Sequence, residues 1–203
     1  MKIQTKVGIQ NVNSGSETDL RSNRSGDLIV SQGHAKYQEA VLNGDVYIGA
    51  NLAGTAVVTQ AGLSATTPAL ALHNPVGSGV YLSLLTVTID ITASPAAAAG
   101  LMLAYNLKSA AAPTATTLAQ VTNAILDLGK LPIGQCYRIS TLAAAPLAIR
   151  YLGGSIGASA ISGIQLIDNI DGSIIISPGV VVSIQTTSAA SIISSFVWQE
   201  LAL

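Results

Sequence analysis

Hydrophobic and polar side chains alternate along much of the chain, a pattern typical of β-strands with one buried face. From Leu85 to Thr92 the alternation is strict, with apolar residues at odd positions and threonine or aspartate at even positions. Just upstream, Val80, Leu82 and Leu84 alternate in the opposite phase. A change of phase requires an extra residue in the strand or a crossing between two sheets. We therefore predict a β-bulge or a sheet crossing at Leu84–Leu85.

The C-terminal region has an apolar run on each side of a turn signal. Ile174–Ile176 leads into Ser177-Pro178-Gly179, and a second alternating apolar run follows. This arrangement predicts a β-hairpin. A final strand is predicted from Ile192 to Leu201, with Phe196 and Trp198 on a shared side.

Short strands separated by Gly, Pro, Ser and Asn predict an all-β fold. The further strand candidates are Val46–Ile48, Ala56–Gln60, Ala69–His73, Leu101–Asn106, Cys136–Ser140, Leu147–Tyr151 and Ile164–Ile167. We expect a jelly-roll-like β-sandwich with an N-terminal extended arm and at most one or two short helices. The residues predicted to form its core or a subunit interface are Val80, Leu82, Leu85, Val87, Ile89, Ile91, Val180, Val182, Ile184, Phe196 and Trp198.

One segment has helical spacing. Leu118, Val121, Ile125 and Leu128 recur at intervals of three and four residues. Thr117 before the segment could cap a helix, and Gly129 just after it could end one. We therefore predict a single helix in this region.

Composition narrows the class of protein. Charged residues make up 9% of the chain and aromatic residues 4%, whereas apolar residues reach 49%. A usual charged share is about 25%. The high apolar content excludes a disordered chain, and a net charge of -1 gives no basic surface for nucleic acid. The free surface of a soluble monomer usually carries more ionised groups than this chain can supply. We therefore expect other chains to cover much of its surface.

Charge is concentrated at the N-terminus, where residues 1–45 carry ten of the nineteen charged side chains. We predict two regions: a polar N-terminal arm, residues 1–45, and a sandwich body, residues 46–203. The arm either docks on a partner or is a frayed terminus. If it docks on a shell protein, its candidate partner-binding residues are Lys2, Lys6, Arg21 and Arg24, which could pair with acidic groups.

Neither membrane insertion nor covalent cross-linking is expected. The N-terminus lacks the apolar run of a signal peptide, and the longest low-polarity stretch, Pro95–Tyr105, is shorter than the about 20 residues that span a bilayer. The single cysteine, Cys136, cannot form an internal disulfide, and no His/Cys cluster has metal-site spacing. We expect no metal and no cofactor.

The motif most suggestive of catalysis is Gly153-Gly154-Ser155-Ile156-Gly157, which matches the G-x-S-x-G nucleophile elbow. That site needs a histidine later in the chain, but His34 and His73 both precede Ser155. We therefore expect no enzymatic activity. Residues 168–172 carry two aspartates in a pattern faintly like a calcium loop, and we interpret them as a turn joining two strands.

Two segments resemble the virion structural proteins of tailed bacteriophages. In Leu70–Leu82, an apolar strand is followed by Asn-Pro, a Gly-Ser-Gly turn and another apolar strand; Phe196–Leu201 is similar to the closing strand of such proteins. The Ile-Ser-Pro-Gly-Val-Val-Val turn that begins at Ile176 is common in jelly-roll domains generally. The likeness covers roughly the last two thirds of the chain and carries no catalytic signature.

The resemblance implies a non-enzymatic capsid decoration or cement protein. Such a protein is typically a homotrimer that binds the major capsid protein on the outer surface of the virion and stabilises the phage head. The alternative is a receptor- or glycan-binding module of a head fibre or tail. It would need exposed aromatic side chains, and the candidates are Tyr47, Tyr81, Tyr105, Tyr137 and Tyr151.

Overall fold

The computed structural model describes residues 35–51, 56–93, 95, 97–108, 111–155 and 164–203. The chain divides into two compact units, Met1–Glu39 and Ala40–Leu203. Most of the predicted arm lies outside the described residues, so its extended conformation and the boundary at residue 45 stay predictions. The account below concerns the second unit.

Within the described residues, one short helix precedes twelve strands in two antiparallel sheets. The first sheet has the order β10-β4-β12-β1-β7, with β2 also paired to β12, and the second has the order β6-β8-β3-β11-β5-β9. The elements are α1 (Gln38–Leu42), β1 (Val46–Ala50), β2 (Val57–Val58), β3 (Ala71–His73), β4 (Val80–Ala93), β5 (Ala99–Asn106), β6 (Thr114–Leu118), β7 (Gln120–Asn123), β8 (Gln135–Thr141), β9 (Leu147–Ser155), β10 (Ile164–Ile176), β11 (Val181–Thr186) and β12 (Ser191–Ala202).

Eight of these strands follow jelly-roll order. Strands β1, β12, β4 and β10 lie side by side in one sheet, and β3, β11, β5 and β9 lie side by side in the other. The chain changes sheets at each step from β3 to β4 to β5, and again from β9 through β12. This connectivity interlocks two Greek keys. Strands β6, β7 and β8 are inserted between β5 and β9 and widen both sheets. The predicted jelly-roll-like sandwich is confirmed.

The predicted change of phase in β4 is a β-bulge. On the β12 side, Val197 pairs with Thr86 and Trp198 with Leu84, so that Leu85 is skipped. The β10 side has a register shift at the same place. Because β4 stays in one sheet along its whole length, the extra residue accounts for the phase change. Leu84 and Leu85 are both buried.

The hairpin predicted at Ser177-Pro178-Gly179 is wrong. The turn is present, but β10 before it and β11 after it lie in different sheets and do not pair. Asn74 secures this crossing, because its side-chain amide donates to the carbonyls of Val80 and Ile176 at 2.8 and 2.9 Å. The Gly179 N–H donates to the Asn74 carbonyl at 2.7 Å. The same asparagine therefore ties the β3–β4 turn to the β10–β11 turn.

The turn predicted at residues 168–172 is also wrong. The two predicted strands are one strand, β10, with a register shift between Asn169 and Ile174. Asp171 and Gly172 have positive φ values of 57° and 79°. An Asp-Gly pair accommodates this left-handed backbone at low cost. The irregularity bends the strand without reversing it.

The helix predicted after Thr117 does not form. Its residues instead belong to β6 and β7 and to the turn that follows. Strand β6 pairs with β8 and β7 with β1, so tertiary pairing determines the conformation there. The observed helix, α1, has five residues and none of them is buried, which explains why no apolar periodicity indicated it.

Aromatic side chains fill the centre of the sandwich. Trp198 stacks on Tyr47 with ring centroids 5.9 Å apart, and Trp198 and Phe196 are fully buried. Two glycines let the backbone approach these rings. A Cβ on Gly49 would lie 2.8 Å from the Cys136 sulfur, and one on Gly134 would lie 2.8 Å from Leu82 Cδ1 and 3.2 Å from Trp198 Nε1.

Candidate interaction surfaces

The predicted core or interface residues lie in the interior of the sandwich. Ten are buried and Val180 is partly buried. The ten are Val80, Leu82, Leu85, Val87, Ile89, Ile91, Val182, Ile184, Phe196 and Trp198. They therefore stabilise one subunit, and an interface must use other side chains.

The predicted partner-binding residues Lys2, Lys6, Arg21 and Arg24 lie outside the described residues, as does His34. Their role in binding an acidic partner stays a prediction.

One side of the sandwich exposes large apolar side chains along two edge strands, β9 and β10. We call this surface the β9–β10 flank and define it by Leu147, Ile149, Tyr151, Ile167 and Ile175. Their exposed fractions range from 43% at Ile149 to 75% at Tyr151. A groove of about 230 Å³ opens between the two edges. Its lining consists of Tyr105, Ile149, Ile174, Ile175, Val180 and Val182.

An ion pair joins the two edges of this flank. The Arg150 guanidinium donates two hydrogen bonds to the Asp168 carboxylate, at 2.6 and 2.9 Å. Arg150 belongs to β9 and Asp168 to β10, so the pair holds the edge strands of the two sheets together. Both strands also carry register shifts. Charges and bulges on edge strands disfavour the addition of another strand, so a partner is expected to pack through side chains here.

The opposite side of the sandwich exposes a second apolar surface, built mostly by the loop between β7 and β8. We call it the loop flank and define it by Leu118, Leu126, Leu128, Leu131 and Ile133. Leu131 is 82% exposed, the highest value among the large apolar side chains of the described residues. It lines two hollows, of about 260 and 350 Å³. Leu131 thus forms a ridge between two depressions.

Two sets of side-chain contacts hold the loop flank in place. The Glu200 carboxylate on β12 accepts the backbone N–H groups of Ile133 and Gly134, both at 2.8 Å. Lys130 forms an ion pair with Asp45 at 2.8 Å, and this hydrogen bond raises the pKa of the Lys130 amine. The loop therefore presents its leucines from a backbone anchored at two points.

The two flanks are large enough to matter energetically. Fully burying one large aliphatic side chain contributes about 1.5–3 kcal/mol. Because these side chains are already about half covered, burying the five of one flank would contribute roughly 4–8 kcal/mol, before the cost of association. Exposed apolar side chains in such numbers are typical of interaction sites.

The thiol of Cys136 and the described histidine, His73, are both buried. Cys136 is fully buried against Gly49, and burial raises the pKa of its thiol. His73 is a buried residue of β3 and stacks on Tyr137, with ring centroids 6.4 Å apart. Burial lowers the pKa of His73, while a hydrogen bond with the Gln135 side chain acts in the opposite direction. Cys136 is among the residues that line the hollow of about 350 Å³, but it is fully buried.

The structure assembles no metal-binding cluster from the described residues. Ser155 ends β9, and part of its motif, Ile156-Gly157, lies outside the described ranges. No three His, Cys, Asp or Glu side chains converge within the described chain. The described part of the chain also has no helix with the length and hydropathy of a membrane span.

The tyrosines expected for a binding platform are dispersed. Tyr47 and Tyr137 are buried, and Tyr105 is half-buried in the β9–β10 groove. Tyr151 on β9 and Tyr81 on β4 are exposed, but they belong to opposite sheets.

Comparisons of the chain with protein-family models, with curated proteins and with solved structures give no match.

Proposed function

We propose that the protein is a non-enzymatic virion structural protein, a capsid decoration or cement protein that stabilises a phage head as an oligomer. In this proposal it is a homotrimer on the outer surface of the capsid, and its partner is the major capsid protein. The observation that carries the proposal is the pair of exposed apolar flanks on opposite sides of a jelly roll that has few charges.

The physical argument rests on surface composition. The described residues expose ten large apolar side chains on the two flanks, and the chain has only 9% charged residues. Such a surface favours association over a free monomer. Jelly rolls are common in viral shells and lectins, and a subunit that contacts several shell proteins at once gains strong avidity from modest single contacts.

The test is binding to shells. Purified protein is mixed with empty shells of the phage that encodes it, and co-sedimentation is measured for the full chain and for a variant lacking residues 1–30. We expect the full chain to bind and the deletion to lose binding, because the arm is the proposed shell contact. Circular dichroism of the deletion variant checks that the sandwich still folds.

A matched control separates the effect of the arm's positive charges from the effect of removing the arm. The variant that replaces Lys2, Lys6, Arg21 and Arg24 by Gln keeps the arm but removes its cations, and we expect weaker binding that depends less on salt. Binding to host cells or glycans without affinity for shells would contradict the proposal and support the fibre or tail module.

A further inference from the structure

We propose that copies of this chain associate head to tail, with the Leu131 ridge of one copy seated in the β9–β10 groove of the next. The inference rests on the proposed oligomeric function and adds to it which two surfaces meet. Its occupant is a second copy of the chain, not the arm and not a shell protein.

The two flanks differ in shape in the way such a contact requires. The β9–β10 flank is recessed, with a groove of about 230 Å³ whose described lining is apolar. The loop flank protrudes at Leu131, which leaves 82% of its surface exposed. The two hollows beside Leu131 are lined in part by Asp127, Lys130 and Gln135, whereas no charged or amide side chain lines the groove, so the groove is the better receptor for an apolar side chain. When one surface is complementary to a different surface of the same molecule, the contact is heterologous and generates rings or filaments.

Charge at the rims is complementary as well. At one end of the groove, the Lys108 side chain lies over Gly179, 3.1 Å from the position of a Cβ there, and Gly179 precedes the groove residue Val180. Asp127 lies in the loop flank and lines the same hollow as Leu131. Among the described residues, neither Lys108 nor Asp127 has an ion-pair partner within 4 Å. A cation beside the groove and an anion beside the ridge favour the ridge-to-groove pairing over either self-pairing.

The backbone at the groove favours a side-chain contact. Arg150 and Asp168 pair across the gap, and both edge strands are irregular. A neighbouring copy is therefore expected to insert apolar side chains rather than extend either sheet.

Thiol cross-linking tests the pairing directly. Leu131→Cys and Ile149→Cys place one thiol on the ridge and one in the groove, and a short bismaleimide is the probe. Cys136 is buried, so the unsubstituted chain is expected not to react. We expect cross-linked dimers when the two single variants are co-expressed, and none when either is expressed alone. A chain carrying both substitutions should give larger covalent oligomers.

Matched controls distinguish a specific ridge-to-groove contact from random cross-linking between exposed thiols. Val58→Cys places a thiol on an exposed side chain outside both flanks, and co-expression with Ile149→Cys should give no dimer above background. Lys108→Glu should weaken self-association about two- to fivefold, as measured by light scattering. Adding Asp127→Lys should restore it.

Three results would overturn the inference. They are cross-linking of either single variant with itself, co-expressed variants that cross-link no better than the Val58→Cys control, and a cross-link that forms only after residues 1–34 are deleted, which would identify the arm as the occupant. Shell binding is measured separately, so a protein that binds shells but fails these tests would retain the proposed function and lose this contact.

Discussion

The interior and the flanks of this jelly roll use large apolar side chains for different purposes. Phe196, Trp198 and Ile89 are fully buried within one subunit, whereas Leu131, Ile149 and Ile167 stand at the surface with 43–82% of their area exposed. The interior is complete without a partner, because side chains from both sheets fill it. Folding and association are therefore expected to be separable: substitutions inside should change stability, and those on the flanks should change assembly.

The largest expected effect is in the interior. Phe196→Ala removes a fully buried ring from β12 and should lower the free energy of unfolding by about 3–5 kcal/mol. Urea unfolding followed by tryptophan fluorescence measures it, with Trp198 as the only reporter. A loss below about 1 kcal/mol would show that Phe196 is not part of a tightly packed core.

Asn74→Ala should have the next largest effect. It removes the amide that donates to two buried carbonyls, at 2.8 and 2.9 Å, and leaves both without that donor. We expect a loss of about 1–3 kcal/mol in the same unfolding experiment. Asn106→Ala is the control, because its amide makes one such bond, to Ala144 at 2.8 Å. Equal losses of unfolding free energy for the two variants would contradict the inference that Asn74 ties the β3–β4 turn to the β10–β11 turn.

The ion pair across the β9–β10 flank should contribute less. A double-mutant cycle with Arg150→Gln and Asp168→Asn should give a coupling energy of about 1 kcal/mol or less, because the arginine side chain is 45% exposed. The coupling should decrease when salt is raised to about 1 M. A coupling that salt leaves unchanged would mean that the pair is shielded from solvent.

Leu131→Ser should have the smallest effect on stability. An exposed position changes the free energy of unfolding by no more than about 0.5 kcal/mol. The same substitution should weaken self-association by at least about tenfold, since a protruding apolar anchor is expected to dominate its interface. If it destabilises the fold as Phe196→Ala does, the distinction between interior and flank is wrong.

The local pattern of apolar and polar residues indicated where strands form better than it indicated which strands pair with each other. The alternation around Leu84 predicted a bulge or a sheet crossing at the place where the pairing skips a residue, because side-chain direction in a strand depends only on neighbouring residues. Only the pairing showed that it is a bulge. The turn at Pro178 was also located correctly. Its two strands do not pair, because a hairpin and a crossing between sheets begin with the same turn residues and differ only in distant contacts.

The helix predicted after Thr117 failed for the same reason. Spacings of three and four residues over so short a segment do not outweigh pairing with β1 and β8. The flanks could not be identified from sequence either. Leu128 precedes a glycine, and Leu131 stands between a lysine and a proline, a context typical of a surface turn. Ile149 and Ile167, in contrast, lie in strand patterns that resemble those of buried residues.

The sequence alone determined that this protein is an all-β sandwich with few charges, since alternation and composition are local and additive properties of the chain. Only the tertiary structure decided the order of the strands, which aliphatic residues are left exposed, and that a ridge and a groove lie on opposite flanks. These features depend on contacts between residues far apart in the chain, such as Glu200 with the loop at Ile133 and Arg150 with Asp168. The free energy of such contacts exists only after the two sheets have packed together.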